Sequence, residues 1–365
     1  MKIVLVTNII APYRVPMFNA FSAKLGGTFS VWFMRETEPS RHWRVEKKEI
    51  VFPYQVLAGT TLTAAGSHWH INPGFLVKLF RERPDVVVMG GYNSLHYPAA
   101  AFYAKCTGSR LVLWSESHFD GSRHNSGLVR RLKSSMIRMA DAFLTPSLRG
   151  QDYLVAYGAD ARACFRMYNC VDSERFGAKD VGTRSYRPPR LLFVGLLDEG
   201  KGLRVALEAL AGIDREWTLT VAGTGPQEGR LREQAQRLGI GDRVEFLGFV
   251  DNQQMTDVYR RCNYFILPTF RDQSPLVVNE ALTAGLFCIL SHYAGNAREF
   301  ITEGRNGVLF DPYDIQVTRA KIVEAFDHAP SERFITESIQ KASPENVAEV
   351  FAEAMHFVAS LGPQS

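Results

Sequence analysis

Short apolar runs alternate with segments of helical spacing along the whole chain. In the first half, runs rich in β-branched and aromatic residues at 2–7, 28–34, 50–57, 85–89, 110–114, 142–145 and 163–167 predict strands. Apolar stripes at 15–25, 73–83, 95–106, 128–139 and 148–157 predict helices between them. The run Asp85-Val-Val-Val-Met89 is apolar on both faces, the pattern of a strand covered by helices on either side. Residues 172–190 break the rhythm, and Pro188-Pro189, two glycines and closely spaced polar residues predict a linker. Strands are then expected at 191–194, 218–222, 243–246, 264–267, 287–290 and 308–310. Helices are expected at 202–210, 227–238, 252–261, 276–284, 297–302 and 317–328, with a last amphipathic one at 344–361. This alternation predicts an α/β chain of two doubly wound parallel sheets, residues 1–175 and 190–343, the last helix packing back on the first domain. Such sheets take ligands beyond the carboxyl ends of their strands. No short-period repeat is present, which excludes solenoids and propellers.

Length and composition narrow the classes. The 365 residues suit two domains, and 46% apolar with 22% charged residues excludes disordered, collagenous and coiled-coil chains. No run approaches the ~18–20 apolar residues of a membrane helix. The opening MKIVLVTNIIAPYR reads as a buried strand rather than a signal peptide. Five scattered cysteines, Cys106, Cys164, Cys170, Cys262 and Cys288, never form C-x-x-C. Neither a disulfide framework nor a zinc site is expected, and a reducing, cytoplasmic location is. The net charge of +4 is unevenly spread. Residues 1–175 carry 22 Lys and Arg against 13 Asp and Glu, and residues 176–365 carry 20 against 25. Either the first half meets something anionic or the segregation serves only solubility.

Candidate chemistry sits in the second half. The strand at 191–194 runs into Gly195-Leu-Leu-Asp-Glu-Gly200-Lys201-Gly202 and then a helix. A glycine-flanked helix start offers backbone N–H groups and a positive dipole end to a phosphate, and Lys201 adds a charge. The Walker spacing is absent. A second turn, Val221-Ala-Gly223-Thr-Gly225-Pro226, has the Gly-x-Gly of a dinucleotide fingerprint, with Glu245 placed as a ribose acid. That keeps a nicotinamide oxidoreductase as a rival. In the third segment, Asp272-Gln-Ser274-Pro275-Leu276-Val277-Val-Asn-Glu280, two acids bracket a helix start at Pro275. They are placed to grip sugar and ribose hydroxyls, or to cap the helix and face solvent.

In order, the loop from Gly195 to Gly202, the VAGTGP turn, the run VEFLGFV ending at Val250, Asp272 to Glu280-Ala281, and Gly295 through NGVLFDP resemble the retaining glycosyltransferases of family 4. The resemblance is close over 190–315 and loose in the first domain. It implies the GT-B fold, two Rossmann-like domains facing across a cleft. It also implies transfer of a hexosyl group from a UDP- or GDP-sugar to a hydroxyl of a lipid-linked or surface-polysaccharide acceptor. By this resemblance the donor site comprises Gly195, Lys201, Gly202, Gly223, Gly225, Phe249, Val250, Arg271, Ser274, Pro275, Leu276, Val277 and Glu280. Asp272 meets the donor sugar, Glu280 the ribose, Lys201 the diphosphate, and the backbone at Phe249-Val250 the base. The nucleotide sugar is a substrate, so no cofactor is implied, and no metal. Two residues depart from the family pattern: Leu196 stands where an arginine is frequent, and Asp272 stands for a glutamate.

The first domain is expected to hold the acceptor through Asn8, Pro12, Tyr13, Arg14 and Arg123, the first four in a loop that resembles the proline-tyrosine-arginine loop of one branch of the family. Glu116 and His118, in Trp114-Ser-Glu-Ser-His118, fall near the place of a family histidine and are candidates to move a proton. The helix at 128–139 carries Arg130, Arg131, Lys133 and Arg138 beside Leu128, Val129, Leu132, Met136 and Ile137. It either lies on an anionic membrane surface or buries its apolar stripe in the core. A peripheral place at the inner membrane face is compatible with the first. No nucleic-acid partner is expected. His68-Trp69-His70 lacks carboxylate neighbours in sequence and is not expected to bind metal. A nucleotide-sugar epimerase of the same fold and a non-catalytic scaffold complete the rivals.

Overall fold

The computed structural model describes residues 1–38, 47–64, 67–119, 127–177, 182, 184–328 and 330–362. The chain divides into two units, Met1–Cys170 with Pro344–Ser365, and Val171–Ser343. In chain order unit 1 contains β1 (Ile3–Thr7), α1 (Val15–Leu25), β2 (Phe29–Phe33), β3 (Tyr54–Val56), β4 (Thr60–Ala64), β5 (Ser67–Ile71) and α2 (Phe75–Glu82). It continues with β6 (Val86–Gly90), α3 (His96–Thr107), β7 (Arg110–Trp114), α4 (Gly127–Ile137), β8 (Ala142–Thr145), α5 (Leu148–Ala156) and β9 (Cys164–Arg166). Unit 2 opens with α6 (Ser173–Phe176), β10 (Arg190–Val194), α7 (Leu203–Ala211), β11 (Thr218–Ala222), α8 (Glu228–Arg237), β12 (Val244–Gly248), α9 (Asn252–Arg261) and β13 (Tyr264–Leu267). It closes with α10 (Leu276–Thr283), β14 (Phe287–Ser291), α11 (Ala297–Phe300), β15 (Gly307–Phe310), α12 (Ile315–Asp327) and α13 (Glu332–Ser338). Then α14 (Pro344–Ser360) returns to unit 1.

Each unit is a parallel sheet with crossover helices. The orders are β3-β2-β1-β6-β7-β8-β9 and β12-β11-β10-β13-β14-β15. The central strands are buried along their whole length, as β1, β8 and β13 show, which explains their unbroken apolar runs. Both orders reverse direction once, between β1 and β6 and between β10 and β13. A reversal splays two adjacent loops apart at the carboxyl edge, and ligands of open α/β sheets bind there. In unit 1, α14 buries Val347, Phe351, Met355 and Val358 in the core. The Phe351 ring stacks on Phe21, with centroids 4.1 Å apart.

Two expectations about the connections are corrected. Residues 172–190 are not a free linker, because the unit boundary falls earlier, at Cys170, and the described part of this stretch is packed onto unit 2. Asp172 caps α6 by accepting from the Arg175 N–H at 3.0 Å. Arg184 pairs with Glu332 at 3.1 Å, both nearly buried, and donates to the carbonyl oxygens of Arg260, Cys262 and Ala284. The Tyr186 hydroxyl donates to the Gly285 carbonyl at 2.7 Å. The stretch reads as a linker because its polar residues find partners far along the chain. The second correction is the antiparallel hairpin β4–β5, which the sequence pattern did not predict. Asn72 fastens it by donating to the carbonyls of Met34, Leu57 and Ala58. His70 Nε2 lies 3.0 Å from the Glu38 carboxylate and its Nδ1 lies 2.9 Å from the Thr61 hydroxyl, so this histidine serves the hairpin.

Candidate functional site

The loops after β10 and β13 meet at the reversal of the second sheet, and backbone bonds stitch them to their neighbours. The Phe270 N–H and the Thr269 hydroxyl both donate to the Gly200 carbonyl, at 2.8 and 2.9 Å. On one flank, Leu197 N–H donates to Thr224 and Gln227 N–H donates back to Leu197. On the other, Asp272 N–H donates to Tyr293 and Gly295 N–H to Asp272. Close approach explains the glycines. A Cβ on Gly223, whose φ is +144°, would stand 1.9 Å from the Gly195 carbonyl oxygen, and one on Gly202, at φ +69°, 2.1 Å from the Pro268 carbonyl oxygen. Gly225 and Gly295 are equally hemmed in by backbone.

This framework brings Lys201 and Asp272 together as an ion pair. The Lys201 N–H also donates to the Asp198 carboxylate at 2.9 Å. Ser274 and Pro275 lead into α10, whose N-cap residue Pro275 makes no side-chain cap bond, and the N–H groups of its first turn, at Leu276 and Val277, are candidate donors to a ligand. The Asn296 amide holds this helix start by donating to the Pro275 carbonyl at 3.1 Å and to Asn279 at 3.0 Å. Glu280 lies half-buried farther along α10, and its carboxylate accepts from the Tyr259 hydroxyl of α9 at 2.7 Å. Burial pushes the Glu280 carboxyl up, against the Tyr259 hydrogen bond and the Arg175 charge, which both pull it down. Burial holds the Tyr259 hydroxyl well above its ordinary value, so it remains a donor. Tyr259 and Arg175 escaped the sequence reading. One carries no motif, and the other lay in the stretch read as linker.

Gly223 and Gly225 follow β11 and not the central strand β10, and Glu245 is exposed near the start of β12, 3.8 Å from Arg261. A dinucleotide fingerprint needs the glycines after the strand at the reversal and the acid at a strand's carboxyl end. The geometry therefore disfavours the nicotinamide reading. Phe249 and Val250 follow β12, joined to the glycine framework by the Gly223 N–H, which donates to Gly248 at 2.8 Å. Phe249 and Leu196 are both exposed. Arg271 is exposed beside Asp272. Three aromatic rings that the sequence reading missed gather at the same edge: Tyr313 lies 4.9 Å from Phe270 and 5.5 Å from Tyr293. They come from the ends of three successive strands, so no local pattern links them.

In unit 1 the corresponding reversal carries the other predicted residues. Pro12, Tyr13 and Arg14 form a single 3-10 turn after β1, with Asn8 exposed just before it. Arg14 donates to Thr7 and to Glu116, each at 3.2 Å, and its guanidinium lies 4.6 Å from the Trp114 ring. Arg14 is thus already paired within unit 1. Glu116 is partly exposed, whereas His118 is buried, so Glu116 is the more accessible of the two. Arg123 lies outside the described residues. Among the described residues no group of three or more His, Cys, Asp or Glu side chains is placed to hold a metal ion.

With this geometry in view, comparison with known proteins is decisive for the fold. Over 98% of this chain, and all of the other, it superposes with TM-score 0.77 on the lipopolysaccharide outer core galactosyltransferase WaaB, at 19% identity. The fold is GT-B. Anabaena HepE in complex with UDP matches 99% of this GT-B chain, and all of its own, with TM-score 0.73 and 18% identity. Residues 179–342 match the family of glycosyl transferases group 1. A glycogen synthase of Mycobacterium tuberculosis is 28% identical over 280 residues, 73% of this chain and 66% of the synthase.

Proposed function

We propose that this chain is a retaining glycosyltransferase of family 4 type. It takes a hexosyl group from a UDP- or GDP-sugar held by unit 2 and places it on a hydroxyl of a glycan or lipid-linked acceptor held by unit 1. The observation that carries this reading is the shared carboxyl edge of unit 2, where Lys201, Asp272 and the start of α10 stand together, with Glu280 farther along the same helix. Its relatives support it by name: a UDP complex, a lipopolysaccharide galactosyltransferase and a glycogen synthase.

In the reaction the bond from the anomeric carbon to the diphosphate oxygen breaks as the acceptor oxygen bonds to that carbon on the same face. Negative charge grows on the leaving diphosphate. Lys201, released from Asp272, and the N–H groups of Leu276 and Val277 stabilise it. The departing phosphate oxygen takes the acceptor proton, so retention needs no separate base. Asp272 is then available to a hydroxyl of the donor sugar, and Glu280 to the ribose. A fixed ammonium and a helix dipole do the work a divalent ion would do, so no metal and no cofactor take part. All five cysteines stand as thiols, which fits a reducing, cytoplasmic setting.

The test is product analysis with UDP- and GDP-hexoses and a simple sugar acceptor. We expect a glycoside that keeps the donor's anomeric configuration, formed at the same rate with and without a chelator. Inverted product, or a rate that collapses with the chelator, contradicts the reading. Isomerised donor without glycoside would favour the epimerase.

A further inference from the structure

The helix α4 divides between the two readings its sequence left open: Met136 packs against the core and Val129 is half-buried, while another part of its apolar surface faces outward. Only Ile137 on it is buried. Leu128, Leu132 and, just beyond the helix end, Met139 are 70%, 57% and 47% exposed. At spacings of four and seven they share one stripe. Arg131 and Arg138, two turns apart and both exposed, run alongside it. Arg130, Arg131, Ser134, Arg138 and Met139 line a shallow depression of about 570 Å³ on the same surface. The helix itself has no acidic residue, and among the described residues no carboxylate pairs with Arg130, Arg131, Lys133 or Arg138. Behind it, the Lys133 ammonium lies 5.9 Å from the Tyr157 ring, and Arg138 lies along Gly158 at the border between the seated side and the bare one, its side chain still exposed. The helix is therefore seated on unit 1 by one side and bare on the other. Isolated exposed leucines are ordinary, but a stripe of them bordered by arginines that no described carboxylate pairs is not.

We propose that the outer face of α4 docks on an anionic phospholipid surface. Leu128, Leu132 and Met139 enter the boundary between headgroups and acyl chains while Arg131 and Arg138 meet lipid phosphates. Charge complementarity selects this occupant. Unit 1 carries 21 Lys and Arg against 14 Asp and Glu, and three arginines are gathered on this one helix and its first following residue. No described helix is long and apolar enough to cross a membrane, so the contact would be made along the surface. The inference is independent of the donor site.

Sedimentation of the full chain with vesicles tests it. Vesicles of phosphatidylcholine and phosphatidylglycerol in equal parts should carry the protein down, and pure phosphatidylcholine should not. Each charge removed near the surface should lower the partition about fivefold, so Arg131→Gln with Arg138→Gln should lower it roughly 25-fold. Leu128→Ser with Leu132→Ser should lower it too, and both pairs should keep the parent's melting temperature and its response to UDP. Equal sedimentation with neutral vesicles, none with anionic ones, or partition unchanged in both variant pairs would overturn the proposal. So would tighter binding to duplex DNA at the same phosphate concentration. A chain that answers to UDP or GDP but ignores anionic vesicles overturns this inference alone, and one that binds the vesicles but answers to neither nucleotide overturns only the donor site.

Discussion

The carboxyl edges of the two sheets share a topology but differ in what ties together the loops on either side of the reversal. In unit 2, backbone bonds among the loops after β10, β11, β13 and β14 fix the edge, with glycines at the points of closest approach. In unit 1, backbone bonds join the loops after β1 and β2, as from the Arg35 N–H to Asn8, but side chains reach across the reversal: Arg14 to Thr7, Glu116 and Trp114, and the Tyr92 hydroxyl to the Tyr153 hydroxyl at 3.0 Å. A backbone cradle suits a ligand part that never varies, as a diphosphate does. A side-chain lattice can change with the acceptor while the strands stay put.

Three measurements break or sharpen that contrast. The largest effect is expected at the back of unit 2, where Arg184→Ala leaves Glu332 buried without its cation and three carbonyls without a donor. Loss of one partner of a buried pair costs about 3–5 kcal/mol. Denaturant unfolding should show that loss in the unit 2 transition and little in unit 1. A loss below about 1 kcal/mol would mean that the 172–190 stretch is a loose linker after all.

The next effect belongs to unit 1. His96 is buried, with Nε2 2.9 Å from the Asn72 oxygen that helps seat the hairpin, and burial pushes its pKa down to about 4. The unfolded chain binds that proton more readily, so stability should fall as pH drops from about 6.5 towards 4. The loss is on the order of 3 kcal/mol, and His96→Gln should flatten it. Unit 1 unfolding that is level across this window would contradict the assignment.

The smallest stability effect is the most telling. A carboxyl raised by burial favours the folded state below its ordinary value, and that contribution is lost as pH rises through the raised one. Burial thus makes the ionised form of Glu280 costly to the fold, and Glu280→Gln still accepts from Tyr259. The variant should melt at or slightly above the parent's temperature near pH 7, with the difference fading in acid, and its nucleotide affinity should fall at least tenfold. A clearly lower melting point would make Glu280 a structural residue.

Much of this contrast was legible beforehand. The α/β alternation and most element ends follow from apolar runs stopped by glycine, proline and capping residues, as at Asp251, which caps α9. The glycine turns and the Asp272–Glu280 spacing located the unit 2 edge. What stayed hidden rests on contacts distant in sequence. Arg184 finds Glu332 148 residues on, and the Tyr259 hydroxyl finds Glu280 on a different helix. The rings of Phe270, Tyr293 and Tyr313 are neighbours only because the sheet sets their strands side by side. Periodicity likewise showed an apolar stripe on α4 but not that Met136 and Ile137 pack inward while Leu128 and Leu132 stay exposed.

The central claim is that the carboxyl edge of unit 2 grips a nucleoside diphosphate through Lys201 and the start of α10. A ligand that binds only the folded chain raises its melting temperature in step with its affinity. The deciding measurement is the melting temperature of the parent and of Lys201→Ala with and without UDP and GDP. The expected result is a clear upward shift of the parent with at least one of the two and almost none for the variant. No shift in the parent with either nucleotide, or an undiminished shift in Lys201→Ala, would contradict it.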